Sequence, residues 1–274
     1  MNYRHGFHAG NFADVVKHLA LVSALLHLGK KDKPFCVIDT HAGRGLYDLT
    51  SREARRAGEA AAGIGCLSSL HETGVAALDG YLAAVRATGE GNYPGSPLIA
   101  ASLLRARDRL IAIEKHPEEF AALQSTLARF TRAKAVEADG YARLMALLPP
   151  KERRGLVLID PPFEEDNEFA QLAEAFAGAN RRFATGVYML WFPIKSPADA
   201  DAFTGEIANA GAAKLLRIDV ALNALRTDGK ERLAAAGLLI VNPPFGLAEE
   251  MEDAARLVAP ALDARISLKR LGAE

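Results

Sequence analysis

Apolar residues gather along this chain in two kinds of run. Short, nearly continuous ones bounded by turn residues occur at Phe35–Asp39, Leu110–Glu114, Lys134–Glu137, Leu156–Asp160, Val187–Phe192, Lys214–Val220 and Gly237–Val241. Such runs predict strands buried on both faces of a sheet. The others recur at helical spacing. Asn11 to about Leu28 places Phe12, Val15, Val16, Leu19, Val22 and Leu26 on one face, with Asn11 as N-cap and Gly29 as the stop. Further helical stretches near 117–129, 166–179, 198–210 and 247–259 fall between or after the strand runs. Alternation of the two predicts an α/β fold with a doubly wound, mostly parallel sheet of seven strands.

One spacing breaks that regularity. Consecutive parallel strands are commonly joined by a single helix, yet Asp39 and Glu114 lie 75 positions apart. The stretch 47–95 is Ala-rich, with helical patterns over Glu59–Leu70 and Val75–Ala87 and no convincing strand. It is expected to be an inserted helical subdomain, leaving 1–46 and 96–274 as the main domain. Arg52, Arg55 and Arg56 lie within it. They fit either a solvated helix face or a set of phosphate contacts.

Composition narrows the class without choosing a function. Half of the 274 residues are hydrophobic and 24% are charged, enough to bury a sizeable core. A formal net charge of −1 is unlike a general DNA-coating protein, so nucleic-acid contacts would come from local patches. Cys36 and Cys66 stand at no ligand spacing and read as reduced, buried small hydrophobes. The opening residues lack a signal-peptide pattern, and the run Val187–Ile194 is too short to span a bilayer. A soluble, cytoplasmic protein with no membrane association is expected.

Candidate chemistry concentrates at strand ends. Asp39-Thr40-His41-Ala42-Gly43-Arg44-Gly45 follows the first strand, where glycines permit a sharp turn and close approach of a ligand. Glu114 ends the second strand, where an acid suits ribose hydroxyls, and Asp139-Gly140 ends the third, a corner suited to an adenine edge. Each acid alone also fits a helix N-cap; together they point to an adenosine-containing cofactor. A dinucleotide would want a third glycine where Asp48 stands. S-adenosylmethionine has no phosphate and needs no such cradle.

The fourth strand stops at Asp160-Pro161-Pro162-Phe163. The prolines fix φ and remove two donors, leaving carbonyls as acceptors beside an ionised Asp160. That pair suits the two hydrogens of an exocyclic amine, whose nitrogen is then drawn toward a pyramidal shape with its lone pair aimed at a methyl carbon. Phe163 can stack on a base turned out of its helix. The protein mostly positions reactants, and no metal is needed. A second copy, Asn242-Pro243-Pro244-Phe245, ends the seventh run. In the methyltransferase version of this fold that strand is antiparallel, so Asn242 is expected to be structural.

The opening residues Asn2 to Asn11, continuing to Lys17 and His18, interleave aromatics with bases, Tyr3 and Arg4 among them, as suits stacking and phosphate contact. His5, His8 and His18 lack partners at metal-ligand spacing. Here the chain resembles the bacterial adenine-N6 methyltransferases of 23S ribosomal RNA called RlmJ. NYRHGFHAGNFADVVKH, DTHAGRG, YPGSP, IAIEKHP, ADGY, IDPPFE, WFP and VNPPF carry the resemblance. It covers essentially the whole chain; the opening block and YPGSP are the most specific. The resemblance implies a Rossmann-like class I fold with a helical insertion. It implies S-adenosylmethionine contacts at Lys17, His18, His41, Ser96, Glu114, Asp139 and Gly140, beside Gly43 and Asp160. It also implies Asp160 as the catalytic carboxylate, Tyr3 near the target adenine, 23S ribosomal RNA as partner, and a monomer. The same corner serves a DNA adenine, a guanine N2 amine or a protein amide. A nicotinamide dehydrogenase would want the missing glycine, and a non-catalytic cofactor-binding module would want a damaged Asp160 corner.

Overall fold

The computed structural model describes residues 5–224 and 233–272. In chain order these form a 3-10 turn (His5–Phe7), α1 (Phe12–Gly29), β1 (Cys36–Asp39), β2 (Leu46–Asp48), α2 (Arg52–Ala57), α3 (Glu59–Ala62) and a second 3-10 turn (Ile64–Leu67). There follow α4 (Ala76–Arg86), β3 (Asn92–Pro94), α5 (Ser96–Leu103), β4 (Arg109–Glu114), α6 (Pro117–Leu127), β5 (Ala133–Glu137) and α7 (Gly140–Leu147). The rest is β6 (Gly155–Ile159), α8 (Glu168–Arg182), β7 (Val187–Pro193), α9 (Pro197–Asn209), β8 (Lys214–Leu222), β9 (Ala235–Val241), α10 (Leu247–Ala261) and β10 (Ala264–Gly272).

The main sheet runs β10-β8-β9-β7-β6-β1-β4-β5. From β5 to β7 every pairing is parallel, and β9 is antiparallel to both β7 and β8. It has eight strands rather than the expected seven. The addition, β10, closes the edge against β8 along its whole length. It alternates apolar with charged residues because one face is wet, so it forms no continuous apolar run.

Each central strand alternates its side chains between two cores. Val37 and Leu156 join the side covered by α1, α4, α5, α6 and α10; Ile38 and Val157 join the side covered by α7, α8 and α9. β5 is the far edge and is only partly covered.

Asn11 caps α1 as the spacing predicts, its Oδ1 accepting from the amides of Ala13 and Asp14 at 3.0 and 2.9 Å. The helix is not apolar on one face only. It is buried almost all round, including Asp14, Lys17 and His18, because it lies between the sheet and the outer helices α4 and α10. By length and composition it is apolar enough to cross a membrane, but its most apolar stretch is 83% buried inside the fold.

The stretch 47–95 does contain strand. β2 and β3 pair as a two-stranded antiparallel ribbon, with Tyr47 opposite Tyr93. Between them α4 buries Ala77, Leu78, Tyr81 and Leu82 in the same core as α1. Cys36 is buried as expected, but Cys66 is exposed. On a 3-10 turn positions three apart share a face, so Ile64 and Leu67 turn inward and Cys66 outward.

Candidate active site

The parallel strands β1, β4, β5 and β6 deliver their carboxyl ends to one rim. Asp39 pairs with Ala112 on one side and Leu158 on the other, and Glu114 pairs with Glu137. Gly43, Glu114, Asp139 and Asp160 therefore share that rim, the ligand edge of an open α/β sheet.

Asp160 is the best-defined group there. Lys17, reaching from α1, sets Nζ 2.5 Å from Asp160 Oδ2 and 2.7 Å from Asp14 Oδ1. Lys17 and Asp14 are nearly inaccessible, and Asp160 is 15% exposed. Burial opposes the charge on Lys17, but the two carboxylates outweigh it and hold the ammonium above its ordinary pKa. Asp14 also accepts from the Gly10 amide at 2.9 Å, which ties the turn entering α1 to the same cluster. With Oδ2 on Lys17, Asp160 Oδ1 has no hydrogen bond among the described residues.

Asp39 is wholly buried at the end of β1. Its Oδ2 accepts from Ser96 Oγ at 2.7 Å, while Oδ1 has no partner among the described residues. Burial pushes its pKa up to about 7, and the nearby Asp160 charge adds to the rise. His41 follows it. Thr40 Oγ1 donates to the Leu158 carbonyl at 3.0 Å and lies 2.9 Å from His41 Nδ1. A hydroxyl has one proton, so His41 Nδ1 must be the donor and Nε2 a lone-pair acceptor. Burial lowers the His41 pKa to about 4, so the ring is neutral.

Glu114 accepts from the amides of Gly43 (2.8 Å) and His116 (2.7 Å), so the glycine turn is braced by the neighbouring strand end. Gly43 itself adopts φ +59, and a Cβ there would stand 2.2 Å from Tyr47 Oη. Asp139 caps α7 through Ala142 N and pairs with Lys115 at 2.9 Å. Gly140 lies so close to the β1 corner that a Cβ would sit 2.1 Å from the Thr40 carbonyl oxygen. Pro161 is buried; Phe163, at φ +52, is half-buried and meets Phe169 and Trp191 edge-on at 4.9 and 5.8 Å.

These contacts bring together Lys17, Asp39, Ser96 and Asp160, and separately Gly43 with Glu114. His18 is drawn instead to Tyr93, whose hydroxyl lies 2.7 Å from Nδ1. Tyr3 and Arg4 lie outside the described residues. His8 lies 3.0 Å from Glu59, and among the described residues no group of three or more His, Cys, Asp and Glu side chains is arranged to hold a metal. Asp14 and Asp39 were not among the expected site residues. The sequence signal for Asp14 was an Asp and a Lys three apart on an otherwise apolar helix.

The second Pro-Pro corner stands on the other rim. Because β9 is antiparallel to β7, Asn242 comes back beside the start of β7. There its Nδ2 donates to the carbonyls of Ala184 and Gly186 at 2.9 and 2.8 Å.

Residues 32–269 match the family model described as "Ribosomal RNA large subunit methyltransferase D, RlmJ". The chain belongs to the RlmJ family. The ribosomal RNA large subunit methyltransferase J of Escherichia coli (strain K12) is 38% identical over 257 residues, covering 92% of this chain and 91% of the relative. Its namesake in Haemophilus influenzae is 37% identical over 262 residues, with the same coverage. A Legionella pneumophila protein, LPL1258, shares the fold of this RlmJ chain with a TM-score of 0.86 at 32% identity, covering 96% of this chain and 98% of that one.

Proposed function

We propose that the protein transfers a methyl group from S-adenosylmethionine to the N6 amine of an adenine in 23S ribosomal RNA. The observation that carries the reading is the Lys17–Asp160 pair. An ionised carboxylate, locked by a buried ammonium on the ligand rim, leaves one oxygen unengaged, in a chain whose relatives are named as ribosomal RNA methyltransferases.

The rim fits this cofactor by its own chemistry. The buried, unpartnered Asp39 Oδ1 and the carboxylates of Glu114 and Asp160 suit a cationic ligand with ribose hydroxyls. The missing Cβ at Gly140 leaves room at the Asp139 corner. Lys17, His18, His41, Gly43, Ser96, Glu114, Asp139 and Gly140 would hold the cofactor. Bound there, S-adenosylmethionine supplies a methyl carbon made electrophilic by its sulfonium.

The chain supplies position. Asp160 Oδ1 and the carbonyls freed by Pro161 and Pro162 accept the two amine hydrogens, which aims the nitrogen lone pair. Lys17 keeps the carboxylate charged and fixes its rotamer. Neutral His41 adds no competing positive charge. Phe163, braced by Trp191 and Phe169, stands beside Asp160 to meet the base. Tyr3 and Arg4 are assigned to the adenine and its backbone, with the 1–18 segment over the site. The exposed Arg52, Arg55 and Arg56 of the 47–95 insertion are assigned to RNA phosphates. A cytoplasmic monomer fits a ribosomal RNA substrate.

The test offers radiolabelled S-adenosylmethionine with 23S RNA lacking the modification, genomic DNA and total cell protein. Label recovered as N6-methyladenosine from the RNA supports the reading; label in DNA, in guanosine or in protein overturns it.

A further inference from the structure

Beside the Lys17–Asp160 pair runs a second chain of polar groups inside the core. Tyr81 on α4 places its hydroxyl 2.9 Å from that of Tyr93 on β3, which lies 2.7 Å from His18 Nδ1 on α1. Both tyrosines are fully buried and His18 is 1% exposed. Each tyrosine has one proton to give, and the Tyr81 hydroxyl has no partner besides Tyr93 among the described residues.

We infer that Tyr81 and Tyr93 fix His18 as its neutral Nε2–H tautomer and so make it a permanent hydrogen-bond donor toward the ligand rim. Only one direction of the chain uses every hydroxyl proton: Tyr81 O–H to Tyr93 Oη, and Tyr93 O–H to His18 Nδ1. If Nδ1 carried the proton, it would have to donate to Tyr93. Tyr93 would then turn its proton to Tyr81, and the Tyr81 proton would be buried without an acceptor. An imidazolium fails for the same reason, because one tyrosine proton is again stranded. Both tyrosines lie far above their ordinary pKa, through burial first, so neither becomes a phenolate that accepts instead.

The two tyrosines are positioning residues, acting through His18. Their chain joins the insertion helix α4 and the ribbon strand β3 to the residue after Lys17. A fixed Nε2–H suits an anionic acceptor, and the carboxylate is the group of S-adenosylmethionine that offers one. This last step rests on the cofactor assignment made above.

The test is nitrogen-15 NMR of the full-length protein with labelled histidines, His18 being assigned by its loss in His18→Gln. The expected spectrum shows a protonated, pyrrole-type Nε2 and a pyridine-type Nδ1 for His18. In Tyr93→Phe that pattern changes, and calorimetric affinity for S-adenosylmethionine falls about tenfold, raising the cofactor KM more than it lowers kcat. Tyr81→Phe leaves Tyr93 free to donate, so the tautomer stays and affinity falls less. A protonated Nδ1 in the unaltered protein overturns the inference, even if Tyr93→Phe does not fold. So does an unchanged His18 pattern and affinity in a folded Tyr93→Phe. Failure of the unaltered protein to bind S-adenosylmethionine removes the cofactor assignment and leaves the tautomer result standing.

Discussion

Two corners of this molecule, 160–163 and 242–245, share the pattern of an acid or amide, two prolines and a phenylalanine, yet they are built for opposite purposes. Asp160 follows a parallel strand and meets a buried ammonium; Asn242 follows an antiparallel one and meets two backbone carbonyls. Phe163 is packed against Trp191 and Phe169, whereas Phe245 is 99% exposed. Even the left-handed residue differs. It is Phe163, the fourth position, in one corner and Asn242, the first, in the other. A short motif thus specifies a turn and a donor-acceptor pattern. Strand direction decides which edge of the sheet receives it, and with that whether it meets a ligand.

The sharpest way to break this contrast is to truncate both polar residues. Asp160→Ala is expected to lower turnover by at least about a hundredfold, the scale of a lost acid-base or positioning group. Cofactor affinity should be largely retained, and Lys17 keeps Asp14 as partner, so the fold should survive. Asn242→Ala should methylate at the rate of the unaltered protein once corrected for folded fraction. Steady-state rates and calorimetric cofactor binding on both variants decide it; comparable activity of the two would erase the difference.

A subtler change makes the corners alike. In Asp160→Asn the amide can accept one amine hydrogen through its oxygen but loses the charge that Lys17 holds. Turnover is expected to fall about tenfold or more, but less than in Asp160→Ala. Single-turnover rates on the same RNA separate the three proteins. If Asp160→Asn equals Asp160→Ala, charge rather than acceptor geometry is what the corner contributes.

The contrast was legible in the sequence because it rests on long-range order that strand counting reveals. Strand runs in sequence gave β1 and β4 to β9, the acids at their ends, and the opposing edge for Asn242. What hid were elements whose stabilisation is not local. β2 and β3 are three residues each and make sense only as partners across the whole insertion. β10 carries Arg265, Lys269 and Arg270 along its wet edge, so hydrophobicity alone under-reads it. α5 and α7 begin inside glycine-bearing motifs and are eight residues long, and their turn chemistry masked the helix that follows. At the site, Asp160 was visible but its partner was not, since Lys17 lies 143 positions away. The orphaned oxygen of Asp39 is likewise a product of packing that no motif announces.

On the opposite rim the expected loss is in stability. Asn242→Ala removes the donor to both carbonyls and puts a less tolerant residue at φ +52. It should cost about 1–3 kcal/mol, read as a lower denaturant midpoint with an unchanged slope. Asn242→Gly, which relieves the backbone but not the carbonyls, should lie between the two. If Asn242→Ala unfolds at the same midpoint as the unaltered protein, the corner has no structural role.

The smallest expected effect distinguishes the rims by proton binding. Asp39 sits on the ligand rim with a pKa raised from 3.8 to about 7, chiefly by burial. A carboxyl whose folded pKa lies above its unfolded value binds its proton more tightly in the folded state. Its contribution is therefore complete below about pH 4 and is lost as pH rises through 7. Between those limits stability should decline with pH beyond what the other groups produce. Asp39→Asn removes that slope, because the amide has no proton to lose, while Asn242→Ala leaves it in place. Chemical denaturation at pH 5, 6, 7 and 8 compares the three proteins. A slope that persists in Asp39→Asn would mean that the charge is accommodated on the rim without penalty, and that the unpartnered oxygen is not what distinguishes the catalytic edge from the structural one.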